Sequence, residues 1–505
     1  MNVLSIYSRS TLDLSLDLSL DLTSNIRGLP VDRQILEQAM QAKDPRFDGR
    51  FFIGVRTTGV YCRPVCPVKS PRLTNVTFFQ TAAAASEAGF RPCLRCRPES
   101  SPGTPAWAGT STTVARGLRL ISEGALDDSS VEVLSERLGV TSRHLGRLFM
   151  EHLGASPKAI AQTRRLHFAK KLLDETTLPM TEIALSAGYG SVRRFNDHIK
   201  QVYGRSPSDL RGRVHRQYGH RTGTFLIRLP YRPPYDFAGV VGFLGIRATP
   251  GVEFVADGIY ARSVCVDGQY GALSVEQIPD KHQLLCNIDI DSAQHLMRIV
   301  ERIRRMFDLN ADPLEIGCSL SRDKKMKAVV ARNPGRRVPG AWDPFEVAVR
   351  AIVGQQVSVK GATTVMGKIA QSYGEKSDGR LYFPTPESLS MLDVDKLPMP
   401  RARASAIRDM ALGVVKGTVD FASHNPAMLV NQLTAIKGIG PWTAQYVAMR
   451  AMNDPDAFLS GDLVLRRVAS EKLGIDTEAE LLERSQRWRP WRAYAGMHLW
   501  SMASD

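Results

Sequence analysis

Four of the chain's seven cysteines fall in one short stretch, as Cys62-x3-Cys66 and, after 26 intervening residues, Cys93-x2-Cys96. Two close thiolate pairs turn four sulfurs toward one point and suit a tetrahedral Zn2+ with Zn–S bonds of about 2.3 Å. Positions 45–98 hold nine Lys/Arg against two Asp/Glu, so a doubly anionic cluster of four thiolates and one Zn2+ would sit in a cationic shell. Such a shell attracts a polyanion and can bring a nucleophilic sulfur against a phosphate backbone. On spacing alone, an inert four-cysteine ribbon is the commoner use of this pattern. A second set lies far downstream, where Asp462 precedes the apolar-periodic LVLRRV, with Trp442, Tyr446 and Trp500 on either side. Taken singly, that aspartate reads as a helix N-cap and the aromatics as core.

These residues need several separate frameworks to hold them. A chain of 505 residues with 43% hydrophobic content supports roughly three or four cores. The net charge of +15 is uneven: 45–98 carries +7, 141–216 carries +8, and the rest sums to zero. Two localised basic regions favour nucleic acid over a diffuse cationic surface. Cys265, Cys286 and Cys318 show no metal spacing, and an odd total argues against a disulfide framework, so a reducing cytoplasm is the expected setting. No apolar run reaches the roughly 18 residues of a spanning helix, and no membrane partner is expected. The leader TLDLSLDLSLDLTS lacks the basic start and apolar core of a signal peptide.

Composition sets the boundaries. Residues 1–28 read as a disordered leader, 29–99 as the cysteine-bearing domain and the Pro/Gly/Ser-rich 100–110 as a linker. Helical periodicity with short links runs through 111–215 and fits a helix-turn-helix bundle. Residues 223–330 mix strand-like TFLIRLPY, GIYARSVCV and QLLCNIDI with a helix over 292–307, a small α/β domain. Helices return over 331–505. The fold class is therefore multidomain, mainly α with small α+β domains.

The stretch FFIGVRTTGVYCRPVCPVKSPRLTNVTFF, followed by GFRPCLRC, resembles the methyl-acceptor domain of the Ada DNA-alkylation-response family over most of 44–98. The resemblance implies that Cys62 takes a methyl group from a methylphosphotriester in DNA, with Cys66, Cys93 and Cys96 as its zinc co-ligands. Zinc keeps thiols deprotonated at neutral pH, and four thiolates leave electron density on sulfur for in-line attack. Alkylating Cys62 removes one negative charge, so repulsion of phosphates falls and DNA affinity rises. A repair event without turnover thus becomes a binding switch.

Residues 112–212, most clearly ALSAGYGSVRRFNDHIKQVYGRSPSDLR, resemble the paired helix-turn-helix domain of AraC-type activators. The resemblance implies a tight second turn at Ala184, Ala187, Gly188 and Ser191, and reading helices over 142–152 and 191–202. Phe195 and Ile199 would face the core. Arg143, His144, Arg147, Arg193, Arg194 and Asn196 would approach base edges or phosphates. RNA polymerase is the partner expected of an activator.

Two further segments, FEVAVRAIVGQQVSVKGA at 345–362 and LTAIKGIGPWTAQYVAMRAMNDPDAFLSGDLVLRRV at 433–468, are similar to AlkA-type DNA-3-methyladenine glycosylases of the helix-hairpin-helix superfamily. The similarity extends back to PPYDFAGVVGFLGIRA at 233–248 and forward to RPWRAYAGMHLW. It implies a TBP-like α/β domain ahead of an all-α glycosylase domain. It also implies a phosphate-binding hairpin at Gly438, Ile439 and Gly440, with a monovalent cation, and an essential carboxylate at Asp462. The base pocket would be Trp442, Tyr446 and Trp500, where an aromatic cleft favours cationic alkylated purines. Trp442 stands where strand-cutting relatives carry a Schiff-base lysine, so a monofunctional enzyme is expected. Gln356 stands where the family places a Leu wedge. No Pro-Cys-His-Arg occurs, so O6-methylguanine repair is not expected. The whole reads as a monomeric fusion of regulator and glycosylase, the alternative being a regulator whose glycosylase half binds DNA without catalysis.

Overall fold

The computed structural model describes residues 32–102, 112–211, 223–423 and 425–503. The expected leader and most of the expected linker lie outside them. After helix α1 (Arg33–Ala42), a small sheet is built from β1 (Phe52–Val55), β2 (Val60–Cys62), β3 (Val76–Phe79) and β4 (Arg91–Pro92) in the order β3-β1-β2-β4. The β1–β2 hairpin pairs Ile53 with Cys62, and β4 lies parallel to β2. Helix α2 (Ala82–Glu87) packs its alanines on this sheet and on Ala155 and Ala159 of the next module.

Seven helices follow: α3 (Thr112–Ser122), α4 (Val131–Leu138), α5 (Ser142–Leu153), α6 (Pro157–Glu175), α7 (Met180–Ser186), α8 (Val192–Tyr203) and α9 (Pro207–Leu210). The expected reading helices correspond to α5 and α8, each one residue longer at its C-terminus than the resemblance implied, and α8 starts one residue later. Ser191 is the N-cap of α8, its hydroxyl accepting from the Arg194 N–H. In the turn between α7 and α8, Gly188 has φ +77, and a Cβ there would lie 2.8 Å from the Asp127 carboxyl carbon. Only glycine satisfies both demands.

The α/β module carries an antiparallel sheet in the order β5-β9-β8-β7-β6: β5 (Thr224–Pro230), β6 (Glu253–Ala256), β7 (Ile259–Val266), β8 (Gln269–Ile278) and β9 (Gln283–Ile290). Helices α10 (Phe237–Gly245) and α11 (Leu296–Met306) complete it. Its apolar face does not end at the module's edge. Leu173, Ile183, Phe195 and Ile199 of the helix-turn-helix unit share one buried cluster with Ile227, Leu284, Ile288 and Ile299. Polar links reinforce this seam: Lys171 Nζ donates to the Arg228 carbonyl at 2.5 Å, and the Arg228 N–H donates to Glu175 at 3.2 Å. The zinc module is joined as well. Arg50 pairs with Asp312 at 2.8 Å, and the Asp312 side chain is fully buried.

The last module consists of α12 (Pro313–Ser321), α13 (Lys324–Arg332), α14 (Pro344–Val353), α15 (Val359–Tyr373), α16 (Pro386–Ser390), α17 (Arg401–Val415), α18 (Pro426–Thr434), α19 (Pro441–Ala451), α20 (Leu463–Val468), α21 (Glu478–Ser485) and α22 (Arg492–Ser501), and the expected all-α domain also carries a short hairpin of β10 (Lys376–Ser377) and β11 (Arg380–Leu381). The helices surround one large core that includes Ile316, Met326, Ile352, Ile407, Val447 and Trp488. Helices α12 and α13 begin ahead of the expected boundary at 331 and pack into this core. Among the described residues, no helix is long and apolar enough to cross a membrane.

Candidate functional site

The zinc-type cluster is assembled by strand ends. Cys62 terminates β2 and Cys66 follows a turn closed by its own N–H onto the Arg63 carbonyl. Cys93 and Cys96 sit in the turn after β4, tied to β2 by the Cys93 N–H on the Tyr61 carbonyl at 3.0 Å. All four Sγ atoms lie within 4.8 Å of one another. A tetrahedron with 2.3 Å bonds has edges of about 3.8 Å, so the donor set and its spacing fit one Zn2+. Cys93 and Cys96 are buried, and Cys62 and Cys66 are partly exposed. Hydrogen bonds among the sulfurs push Cys66 down to about 7 and hold Cys93 low, while they raise Cys62 and Cys96. Packed thiols share protons in this way until a dication makes four thiolates compatible.

Arg63 braces the cluster. Its N–H donates to the Cys96 sulfur at 3.4 Å, its Nη1 to the Cys96 carbonyl at 3.0 Å and its Nε to Asp48 at 2.8 Å. The Asp48 carbonyl in turn accepts from Nε of the fully buried Arg232, at 3.0 Å. The sulfur site therefore stands on the α/β module as well as on its own sheet.

On the reading helices, Phe195, Ile199 and Tyr203 are buried while Arg193, Arg194 and Asn196 are exposed. On α5, Leu145 and Phe149 are buried, Arg143 and Arg147 exposed, and His144 partly so. Helical spacing thus turns the residues expected at DNA on these two helices away from the core.

The second site gathers residues from three helices. Asp462 caps α20, accepting from the Leu465 N–H at 2.9 Å through Oδ1. The same oxygen accepts from the Trp500 indole N–H at 3.0 Å, and Oδ2 accepts from the Trp442 indole N–H at 3.2 Å. Trp442 stacks on Tyr446 with centroids 5.5 Å apart and planes inclined by 12°. The structure thus brings Asp462, Trp442, Tyr446 and Trp500 together. The hairpin before α19 lies alongside. Gly438 has φ +93, Ile439 is buried, and a Cβ on Gly440 would meet nothing within 4 Å. That leaves open approach to the backbone at Gly440. Gln356 is placed on the loop between α14 and α15, exposed and with φ +54.

Sequence reasoning singled out neither the cations nor the extra ring around this wall. Arg450 donates from Nη1 to the Tyr446 hydroxyl at 2.8 Å and from Nη2 to the Gly340 carbonyl at 2.9 Å. Arg247 lies 3.7 Å over the Phe243 ring. Burial alone would raise the Tyr446 phenol, but Arg450, Arg247 and Arg350 together hold it below its ordinary value. The four-residue spacing Tyr446/Arg450 within α19 was the available signal, since such pairs share a helix face; Arg247 lies in the turn after α10, where no helical period announces it.

Four family models match in chain order: the metal binding domain of Ada over 36–99, a helix-turn-helix domain over 134–213, the AlkA N-terminal domain over 226–343, and the HhH-GPD superfamily of base excision DNA repair proteins over 349–493. A Mycobacterium tuberculosis protein named "Probable bifunctional transcriptional activator/DNA repair enzyme AlkA" is 42% identical over 474 residues, 92% of this chain and 95% of that one. The DNA-3-methyladenine glycosylase 2 of Escherichia coli is 36% identical over 281 residues, 54% of this chain and 95% of its own length. The Escherichia coli "Bifunctional transcriptional activator/DNA repair enzyme Ada" is 32% identical over 174 residues, 34% of this chain and 48% of its own length. With both halves matched in sequence and in order, the chain belongs to the family in which an Ada-like N-terminus is fused to an AlkA-like C-terminus.

Proposed function

We propose that this protein accepts methyl groups from DNA methylphosphotriesters at Cys62, activates transcription in the methylated state, and excises alkylated purines of the 3-methyladenine type at Asp462. The observation that carries the enzymatic part is the carboxylate of Asp462, fixed by two indole N–H groups and one backbone N–H beside a stacked aromatic wall. Oδ2 accepts from the Trp442 indole, which leaves it a lone pair toward an approaching sugar. As the glycosidic bond breaks, its electron pair leaves with the base, and the carboxylate stabilises the cationic sugar until water adds. Trp442, partly exposed, offers a π face to a cationic base, while Tyr446, expected in the pocket, is buried behind it and backs that ring.

At the cluster, a bound Zn2+ would supply four thiolates at neutral pH. The Cys62 sulfur then forms an S–CH3 bond as the methyl C–O bond breaks, and the phosphate departs as a diester anion. Arg63 and Asp48 hold the strand end in place during this step. Arg143, His144, Arg147, Arg193, Arg194 and Asn196 contact operator DNA, and Gly438, Ile439 and Gly440 hold a backbone phosphate, with a monovalent cation. Gln356 contacts DNA from its loop. The protein acts as a monomer in the cytoplasm and recruits RNA polymerase. The test uses the full chain on alkylated duplex DNA. Base release lost in Asp462→Asn, together with methyl label on Cys62, supports the proposal; label at another cysteine or undiminished release refutes it.

A further inference from the structure

The modules do not close completely on one another. Where they meet they leave a cavity of about 560 Å3, bounded by Phe52 of the zinc module, helices α3 and α6, helix α11 and the loop after α19. That volume suits a small molecule. On α3, Arg116 and Arg119 lie one turn apart and both border the cavity. Arg116 donates from Nη2 to the Ser423 carbonyl at 3.2 Å and to the Arg137 carbonyl at 3.4 Å, while its buried Nε has no acceptor. Among the described residues, nothing accepts from the Arg119 guanidinium, which is partly exposed in the cavity wall. Burial, and then the charge of nearby Arg305, lowers it to about 10.

Countercharge here is short. Glu123 is held by Arg305 at 2.7 Å, and Asp456 by Arg489 and Arg492. Asp454 acts on Arg119 from beyond ion-pair distance, accepts from the Asp456 N–H at 3.0 Å and is itself raised by burial. Arg304 on α11, 8% exposed, donates from Nε to the neutral Asn310 amide oxygen at 3.1 Å and feels Glu301 without pairing with it. A desolvated guanidinium without an acceptor is costly to keep, and its planar fork matches the oxygens of a phosphate. Phe52, Leu153, Ile160 and Phe168 make another stretch of wall apolar. A bare anion would leave that surface uncovered.

We propose that this cavity binds a nucleoside monophosphate, its phosphate taken by Arg119 and the Arg116 Nε and its base and sugar laid against the apolar wall. The cavity shares no residue with the cysteine cluster, the DNA-facing residues of α5 and α8 or the excision wall, so the proposal stands or falls apart from those readings. Because every module contributes to the walls, an occupant braces the junction and raises the melting point of the whole chain.

The experiment is calorimetric titration of the full-length protein with deoxyadenosine monophosphate, inorganic phosphate and deoxyadenosine at one ionic strength, repeated with Arg119→Met and Arg119→Lys. The expected result is one-site binding of the nucleotide, at least about tenfold tighter than either fragment. Arg119→Met weakens it by about tenfold or more, the scale of a hydrogen bond to a charged group, and Arg119→Lys by less, since the charge stays and the fork is lost. Without nucleotide the Met variant melts no lower than wild type, because the cation it removes has no partner to lose. A lower melting point would reveal such a partner and overturn the proposal. Equal binding of nucleotide and inorganic phosphate, an adventitious ion only, overturns it as well, and so does binding that both Arg119 variants leave undiminished. Nucleotide binding abolished by Trp442→Ala but not by Arg119→Met moves the ligand to the excision wall and has the same consequence.

Discussion

Replacing Asp462 by Asn removes one negative charge and almost nothing else. Asn caps a helix about as well as Asp, so α20 keeps its start. With the amide oxygen at the Oδ1 position, the bonds from Leu465 and Trp500 survive, and only the Trp442 indole loses its acceptor. That orphaned donor in a partly buried wall costs about 1–3 kcal/mol of stability. The loss in catalysis is larger. A carboxylate about 4 Å from a cationic sugar, at an effective dielectric of about 20, contributes about 4 kcal/mol. Each 1.36 kcal/mol is tenfold in rate, so release slows by about a thousandfold. The assay is single-turnover release of 3-methyladenine from alkylated duplex DNA, with the variant's melting point taken in parallel. A stable variant whose rate falls by less than about tenfold would refute the electrostatic role assigned to this carboxylate.

Four other expectations concern the remaining modules. Cys62→Ser leaves three sulfurs and abolishes methyl transfer, while methylated wild-type protein binds promoter DNA about fivefold tighter at low salt, the effect of about 1 kcal/mol for one charge removed near phosphates; unchanged affinity on gel-shift titration sinks the switch. Arg193→Ala and Arg194→Ala each lower the magnitude of the salt slope of operator binding by about 0.9 per lost phosphate contact, readable by fluorescence titration at several salt concentrations. Arg50→Ala removes one cation from the fully buried Asp312, which keeps the Leu314 and Glu315 N–H groups and the nearby Arg232, and lowers stability by up to about 3 kcal/mol in denaturant unfolding, with Asp312→Asn added in the same chain restoring part of it. Burial raises the Asp308 carboxyl to about 7, against the pull of Arg337. The folded chain therefore holds a proton that the unfolded chain has lost, so stability from this group falls as pH rises from about 4 to 7, by up to about 1.4 kcal/mol per unit. In Asp308→Asn this group's share of the slope is lost from melting curves taken across the same range, while the share of Glu346, which burial likewise raises to about 7, stays.

How far the chain could be read depended on whether its signals were local. Cys62, Cys66, Cys93 and Cys96 declared themselves by spacing, and β2 and β4 bring the two pairs together because those strands pair in parallel. The exposed arginines of α8 were legible from a helical period with Phe195 and Ile199 on the other side. Strands β6 and β8 were not read. β8 contains Gly271, and a Cβ there would lie 2.3 Å from the Asp289 carbonyl, so the glycine that weakens its strand pattern is required by its neighbour. Of the three bonds on Asp462, the Leu465 N–H is a local cap, and the two indoles come from residues 20 and 38 positions away. Only resemblance linked them, since no local period relates a helix cap to two distant indoles. Arg232 reaches Asp48 across 184 positions, and nothing in the intervening sequence signals that bond.

The buried seam joining the helix-turn-helix unit to the five-stranded sheet makes the two halves a single frame and removes the slack that would let them search independently. A tethered pair of modules gains from its link only when the geometry lets both engage at once. A molecule parked on a promoter therefore carries its excision pocket at a fixed offset along that one duplex, out of reach of lesions elsewhere.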